Sequence, residues 1–181
     1  MECLLIRHGI AFEPSEWDGS EIDRPLTEKG RKRVRLAAAG LASMQLSPTH
    51  LLTSPFARAK ETAAIIRRVL CRSIEIQYLE ELAVGSTSER LLARLCTFPS
   101  DSVLLCVGHE PLLGETAALL LCGRPNQRFP MKKCSAALIV LPGDCKPGLG
   151  QLSWWMEPAQ LRMIGKCWKK KGAKVEEGRD D

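Results

Sequence analysis

The chain has 181 residues, of which 45% are hydrophobic, and this composition fits one domain with a sizeable core. No apolar run approaches the roughly 18 residues of a membrane span, and the N-terminus lacks the pattern of a signal peptide. The net charge of +5 suits anionic substrates. It does not indicate nucleic acid binding, because aromatic residues do not interleave the basic stretches. We therefore expect a cytoplasmic monomer that binds neither membranes nor nucleic acid.

The eight cysteines form no C-x-x-C pair and show no zinc-ligand spacing. Most of them lie inside apolar stretches, where a free cysteine behaves as a small buried hydrophobic residue. We interpret them as reduced core residues and expect no disulfide framework.

Short apolar runs bounded by turn residues predict six strands along the chain. The predicted strands span residues 2–7, 50–53, 73–78, 102–107, 136–141 and 151–155. The fourth is a continuous apolar run, which is typical of a parallel sheet that is buried on both faces.

Helices are predicted between these strands. Thr27 can cap the first helix, and Ser54-Pro55 offers a cap and a first helical position for the second. Further helices are predicted over 88–95 and 111–121, and a short one opens at Glu157-Pro158. The alternation predicts an α/β fold, a three-layer α/β/α sandwich with a mostly parallel central sheet. The domain would span 1–166, and the charged segment 167–181 is predicted to be a disordered tail.

Three of the predicted strands end on residues that suit one kind of chemistry. Arg7 and His8 end the first strand, Arg58 lies one turn into the helix after the second, and His109 follows the fourth. Because the carboxyl ends of the strands form the ligand crevice of an open α/β sheet, these four side chains should converge if the strands are neighbours.

Such a cluster suits a phosphoryl group. Two guanidinium groups bind phosphate in a planar, bidentate way that lysine cannot match. A neutral imidazole in line with the phosphorus atom can displace the leaving group, while a second imidazole donates to a phosphoryl oxygen.

The same residues carry a resemblance to a known family. RHG after the first strand, SPFARAKETA after the second and GHEP after the fourth resemble the histidine phosphatase superfamily, also called phosphoglycerate mutase-like. The resemblance covers about residues 1–164. Short length, the segment DRPLTEKG and the ending SWWMEPAQLRMI are similar to the small SixA-type phosphohistidine phosphatases.

The resemblance implies a phosphoglycerate mutase-like fold and a phosphatase that works without a metal or an organic cofactor. It implies that His8 is the phosphorylated nucleophile and that Arg7, Arg58 and His109 complete the phosphate pocket. Gly9, which follows the nucleophile, is assigned to the same pocket.

The proton donor is left open among three carboxylates. LEELAVG is similar to the L-x-E-x-x-x-G segment that carries the acid in larger members, and it places Glu81 in that role. Asp18 and Asp23, in the loop after RHG, are the alternatives, and Arg24 beside them is assigned to substrate binding. An ion pair between Asp23 and Arg24 is an equally weighted interpretation of that dipeptide.

The connections between the predicted elements leave little room for insertions, which predicts an open site. An open site favours phosphohistidine displayed on a protein such as a phosphotransfer domain. A broad small-molecule phosphomonoesterase that takes small phosphate esters is the alternative. A non-catalytic phosphate-dependent binding module is a third possibility, and the presence of all four pocket residues argues against it.

Overall fold

The computed structural model describes residues 1–125 and 129–170, and its centre is one six-stranded sheet. The strands are β1 (Glu2–Arg7), β2 (His50–Thr53), β3 (Ile76–Tyr78), β4 (Val103–Gly108), β5 (Ala136–Val140) and β6 (Gln151–Met156). They lie in the order β3-β2-β4-β1-β5-β6. The first four are parallel to one another, while β5 and β6 are antiparallel to their neighbours, so the predicted mostly parallel sheet is confirmed.

Helices cover both faces of the sheet. They are α1 (Glu28–Ala42), α2 (Ala57–Leu70), α3 (Ser88–Leu95), α4 (Leu112–Cys122) and α5 (Pro158–Lys170), with 3-10 turns at Pro14–Glu16 and Glu80–Leu82. Residues of α1, α2 and α5 share one apolar cluster, and residues of α3 and α4 share the other. The predicted α/β/α sandwich is confirmed. Within the described ranges, no helix is both long enough and apolar enough to span a membrane.

The apolar run of β1 supplies both halves of the core. Leu4 and Ile6 pack in the cluster under α1 and α2, whereas Cys3 and Leu5 pack in the cluster under α3 and α4. Successive side chains of a strand point to opposite faces, so a sheet that is covered on both sides needs an uninterrupted apolar sequence. This requirement explains why the strand stays apolar until it reaches Arg7.

One predicted cap is confirmed and the other is wrong. The Thr27 side chain accepts a hydrogen bond from the Gly30 amide, as an N-cap should. Helix α2, however, begins at Ala57 with Phe56 as its N-cap, so Ser54-Pro55 lies before the helix. The amides of Phe56 and Ala57 already donate to Ser54 Oγ and to the Ile22 carbonyl, respectively.

The predicted tail boundary at residue 167 is too early. Helix α5 continues to Lys170, because one side of it packs along α1, where Leu161 and Gly165 are buried. The rest of the predicted tail, residues 171–181, lies outside the described residues.

The interpretation of all eight cysteines as reduced core residues is also wrong, since Cys96 and Cys145 form a disulfide. Cys96 caps the C-terminus of α3 and Cys145 lies between β5 and β6, with their Cα atoms 5.3 Å apart. This proximity arises from tertiary packing, and nothing in the sequence spacing of 49 residues indicates it. Four cysteines are buried as predicted, namely Cys3, Cys71, Cys106 and Cys134, while Cys122 and Cys167 are exposed.

Helices α1 and α5 approach each other closely at a pair of glycines. A Cβ atom added to Gly165 would clash with the carbonyl oxygen of Leu36, and one added to Gly40 would clash with that of Leu161. Both obstacles are backbone atoms of the facing helix, so a side chain here would have to push the helices apart.

We predict that Gly165→Ala destabilises the protein by about 1–3 kcal/mol, the usual cost of overpacking a tight contact. In an unconstrained helix the same change would stabilise by up to ~1 kcal/mol, because alanine has the higher helix propensity. Urea denaturation monitored by circular dichroism measures the difference. Lys166→Ala, at the exposed neighbouring position, is the control and should change stability by less than ~0.5 kcal/mol. Equal stability of the two variants would contradict a tight helix contact.

Candidate active site

The register of the sheet brings three strand ends together. In the parallel pair β1 and β4, Arg7 lies opposite Gly108, and the His8 amide donates to the Gly108 carbonyl at 3.0 Å. On the other side of β4, the Ser54 amide donates to the Val107 carbonyl at 3.0 Å. The predicted convergence at the carboxyl edge of the sheet is therefore present in the structure.

His8 is buried, and its hydrogen bonds define its tautomer. Its Nδ1 lies 2.7 Å from the Gly9 carbonyl oxygen, which can only accept, so Nδ1 carries the proton. The other ring nitrogen, Nε2, accepts a hydrogen bond from Arg58 Nε at 3.3 Å. His8 thus presents an unprotonated Nε2 to the cluster, which is the form that a nucleophile requires.

Arg58 is buried within the cluster and is held by Glu21, in the loop before α1. Its Nη1 donates to the Glu21 carbonyl at 3.1 Å, and its Nη2 lies 3.0 Å from Glu21 Oε1. The guanidinium also lies over the Phe56 ring, with 4.9 Å between its Cζ and the ring centroid. These contacts fix the guanidinium plane beside the nucleophilic nitrogen of His8.

His109 lies next to His8, with 5.0 Å between the ring centroids. Its Nε2 is 2.8 Å from Ser54 Oγ, and the Phe56 ring packs edge-on against it at 5.1 Å. Its Nδ1 is buried without a hydrogen-bond partner in the described structure. An unpaired buried ring nitrogen is costly, so this atom is suited to a ligand oxygen.

Arg7 is oriented by the segment that precedes β5. Its Nη1 donates to the Met131 carbonyl at 2.7 Å, while the Cys134 amide donates to the carbonyl of Arg7 at 3.1 Å. The buried Nε of Arg7 has no partner among the described residues. Burial lowers the pKa of the Arg7 guanidinium, and its electrostatic interaction with the Glu110 carboxylate opposes this shift. Burial raises the pKa of the Glu110 carboxyl group.

Burial and the surrounding cations keep both histidines neutral. Burial, His109 and the nearby arginines lower the pKa of His8 well below its usual 6.5. Burial, Arg58 and Arg7 lower the pKa of His109 to about 3. Protonating either ring would add a charge to a site that already holds two guanidinium groups, which explains the direction of both shifts.

The site therefore combines a neutral nucleophile with fixed positive charge. Arg7 and Arg58 both supply guanidinium groups that act on His8 electrostatically. Two buried nitrogens, Nε of Arg7 and Nδ1 of His109, have unused hydrogen-bonding capacity. A tetrahedral oxyanion would satisfy these groups. Where the structure describes the chain, no group of three or more histidine, cysteine, aspartate or glutamate side chains is placed to hold a metal ion.

The remaining predicted pocket residues have mixed outcomes. The Gly9 amide donates to Thr62 Oγ1 at 3.0 Å and so is not directed at phosphate. Gly9 is needed for packing instead, since an added Cβ would lie 2.5 Å from a methyl carbon of Val34. Asp18 is exposed, and no hydrogen bond or ion pair joins it to another described residue.

The ion pair between Asp23 and Arg24, one of the two interpretations of that dipeptide, does not form. Asp23 accepts a hydrogen bond from Ser20 Oγ at 2.6 Å, and Arg24 binds the Glu21 carboxylate instead. Because that carboxylate also contacts Arg58, Arg24 is linked to the site through Glu21.

Glu81 lies at the same edge of the sheet as the cluster. It is in the 3-10 turn Glu80–Leu82, and the side chain of Leu82 packs near Gly108, the residue before His109. Glu81 itself is half-buried and makes no hydrogen bond or ion pair within residues 1–125 and 129–170. Its assignment as the acid stays a prediction.

Sequence reasoning missed the roles of three residues in the site. They are Glu21, Thr62 and Ser54, the last of which was interpreted only as a helix cap. Thr62 bridges the Gly9 amide and the Arg58 carbonyl, and its position four residues after Arg58 on one helix is a signal that could have identified it. Glu21 lies in an irregular loop, where spacing carries no such signal.

Comparison with known proteins agrees with this geometry. Residues 3–91 match the sequence profile of the histidine phosphatase superfamily (branch 1). The phosphohistidine phosphatase SixA of Escherichia coli is 30% identical over 165 residues, which cover 90% of this chain and 98% of SixA. A protein of Picosynechococcus sp. without an assigned function is 35% identical over 74% of this chain and 81% of its own length.

A solved structure also matches. The protein histidine phosphatase SixA complexed with tungstate superposes with a TM-score of 0.78 at 29% identity, covering 89% of this chain and 99% of that one. The chain belongs to the histidine phosphatase superfamily. It is a hydrolase, a phosphatase whose catalysis depends on a histidine.

We predict that His8 and His109 stay neutral at pH values where an ordinary histidine is protonated. A histidine with a pKa of about 6.5 is mostly charged at pH 5, whereas both depressed pKa values keep these rings uncharged there. Imidazole ¹⁵N chemical shifts recorded from pH 8 to pH 5 measure the change. They should show His8 as the Nδ1-protonated tautomer throughout. A titration midpoint at or above 6.5 for either ring would contradict the proposed electrostatics.

Proposed function

We propose that this phosphatase removes phosphate from phosphohistidine displayed on a protein. The observation that carries the proposal is the shortness of three of the connections around the site. Only residues 54–56 join β2 to α2 and only residues 109–111 join β4 to α4, while 79–87 join β3 to α3. No inserted domain rises from these connections, so a phosphorylated side chain on a protein surface can reach His8.

The relatives support the same substrate class. Escherichia coli SixA is named as a phosphohistidine phosphatase, and this chain spans almost all of it. The tungstate in the SixA structure is a tetrahedral oxyanion like phosphate. We infer that the cluster of Arg7, His8, Arg58 and His109 holds the phosphoryl group of the substrate in this chain.

The first chemical step follows from the placement of His8. Its unprotonated Nε2 attacks phosphorus and forms a nitrogen–phosphorus bond as the bond to the imidazole of the substrate breaks. The leaving imidazole is a good leaving group once it is protonated, so this substrate has little need of a strong acid in the enzyme. Arg58 Nε, which donates to Nε2 in the resting site, then donates to a phosphoryl oxygen.

The second step is hydrolysis of the phosphorylated His8. Water attacks phosphorus, the bond to Nε2 breaks, and inorganic phosphate leaves with the oxygen of that water. The proton stays on Nδ1 throughout and remains hydrogen-bonded to the Gly9 carbonyl, which fixes the ring for both steps. Arg7 and His109 stabilise the charge that spreads over the phosphoryl oxygens.

We predict rapid release of phosphate from a phosphotransfer domain that carries phosphohistidine, measured beside a panel of small phosphate esters. His8→Ala should abolish this release and also abolish any acid-labile phosphoenzyme. The matched control is His50→Gln at the remaining histidine, whose Nδ1 contacts Thr49, and it should keep full activity. Turnover of the esters with an inert phosphoprotein would reject the protein substrate and favour a small-molecule phosphomonoesterase. Activity of His8→Ala within tenfold of wild type would reject the nucleophile.

We predict that Glu81→Gln separates the two substrate classes. An alkyl phosphate ester needs a proton donor, and loss of a general acid lowers its turnover by about 100-fold. Phosphohistidine hydrolysis should change by less than about twofold, because the leaving imidazole supplies its own driving force. Steady-state rates on both substrates measure this difference, with Glu80→Gln at the exposed neighbouring position as the control. An equal loss on both substrates would give Glu81 a role other than protonating the leaving group.

A further inference from the structure

A carboxylate lies within the site that is built for phosphate. Glu21 binds Arg24 in a bidentate pair, with Oε2 2.7 Å from Nε and Oε1 2.7 Å from Nη2. The same Oε1 lies 3.0 Å from Nη2 of Arg58. One side-chain anion thus joins Arg58, which flanks the nucleophile, to a second arginine.

All three nitrogens of Arg58 have a partner in this state. Nε donates to His8, Nη1 donates to the Glu21 carbonyl, and Nη2 forms an ion pair with the Glu21 carboxylate. A phosphoryl group attacked by His8 needs donors from this same guanidinium. The Glu21 carboxylate, which lies against Nη2, and a phosphoryl group would therefore draw on the same guanidinium.

Exposure identifies the partner that is free to move. The Arg58 side chain is 4% exposed and is confined by its neighbours, whereas the Glu21 side chain is 52% exposed. Glu21 can leave Arg58 and keep its pair with Arg24, because that pair uses both oxygens of the carboxylate. A carboxylate that stayed beside a doubly charged phosphate would also repel it.

We propose that Glu21 is an internal competitor of phosphate: its carboxylate occupies Arg58 in the free enzyme and withdraws when a phosphoryl group binds. The return of Glu21 to Arg58 then favours the departure of inorganic phosphate after hydrolysis. Glu21 sets the affinity for the anion in this way and takes no part in bond breaking. The proposal rests on the proposed function only in taking a phosphoryl group as the ligand.

The test is calorimetric titration with inorganic phosphate at constant ionic strength. Glu21→Gln removes the competing charge, keeps the residue-21 carbonyl that binds Arg58, and should tighten phosphate binding by about fivefold, the effect expected for one partly exposed charge contact. Glu21→Asp keeps the charge but draws the oxygen back from Arg58, and it should also tighten binding. The inhibition constant of phosphate as product should fall in parallel.

Glu16→Gln is the matched control, since it removes one carboxylate from the same loop at a residue that contacts no arginine. It should change phosphate affinity by less than about twofold. Weaker or unchanged binding in Glu21→Gln would overturn the proposal and make Glu21 a residue that positions Arg58. An equal gain in phosphate affinity in Glu16→Gln would also overturn the proposal, as would wild-type phosphate affinity in Glu21→Asp. Both results would show that the net charge of the loop affects binding and that the carboxylate does not compete for Arg58.

Melting temperatures of all variants establish that they are folded, and Glu21→Asp carries the test if Glu21→Gln is not. The titration uses phosphate alone, so its outcome is independent of which phosphorylated molecule is the substrate. An enzyme that ignores phosphohistidine proteins but shows the predicted affinities would lose the proposed function and keep the internal competitor.

Discussion

The parallel pairing of β1 with β4 is the contact on which the site depends. It sets Arg7 opposite Gly108, so the residues that follow, His8 and His109, leave the sheet side by side. A shift of one residue in this register would turn His8 to the other face of the sheet. The buried apolar residues on both faces of β1 fix the register, and the packing of the core therefore determines the geometry of the chemistry.

Much of this architecture could be predicted from the sequence, because its signals are local. Apolar runs bounded by polar residues or glycine placed β1 and β4 to within a residue, and the Thr27 cap located the start of α1. The convergence of Arg7, His8, Arg58 and His109 followed from one topological rule, that parallel strands end at the same edge. The resemblance of the segments RHG, SPFARAKETA and GHEP to the histidine phosphatase superfamily predicted the reaction.

The features that sequence reasoning missed depend on long-range packing or on irregular loops. The disulfide joins Cys96 to Cys145, which are 49 residues apart in the sequence. Helix and strand periodicities predict contacts only between residues of the same element, so they do not predict this pairing. Arg24 pairs with Glu21, whereas the adjacent Asp23 accepts a hydrogen bond from Ser20. Which of two nearby carboxylates an arginine binds depends on the path of the loop, and the sequence does not show that path. The end of α5 was predicted too early for a different reason. Its last residues are charged and have the composition of a disordered tail, and only the packing of α5 along α1 distinguishes the two.

The return of the chain through residues 131–134 has a consequence for how the enzyme is made. The Cys134 amide donates to the carbonyls of both Arg7 and His8. The Arg7 guanidinium donates to the Met131 carbonyl. These contacts come from a part of the chain that is synthesised long after the nucleophile. A growing polypeptide therefore carries His8 from the outset but acquires an oriented phosphate pocket only when its final third emerges. The segment 131–134 must therefore be in place beside β1 before Arg7 is oriented in the pocket.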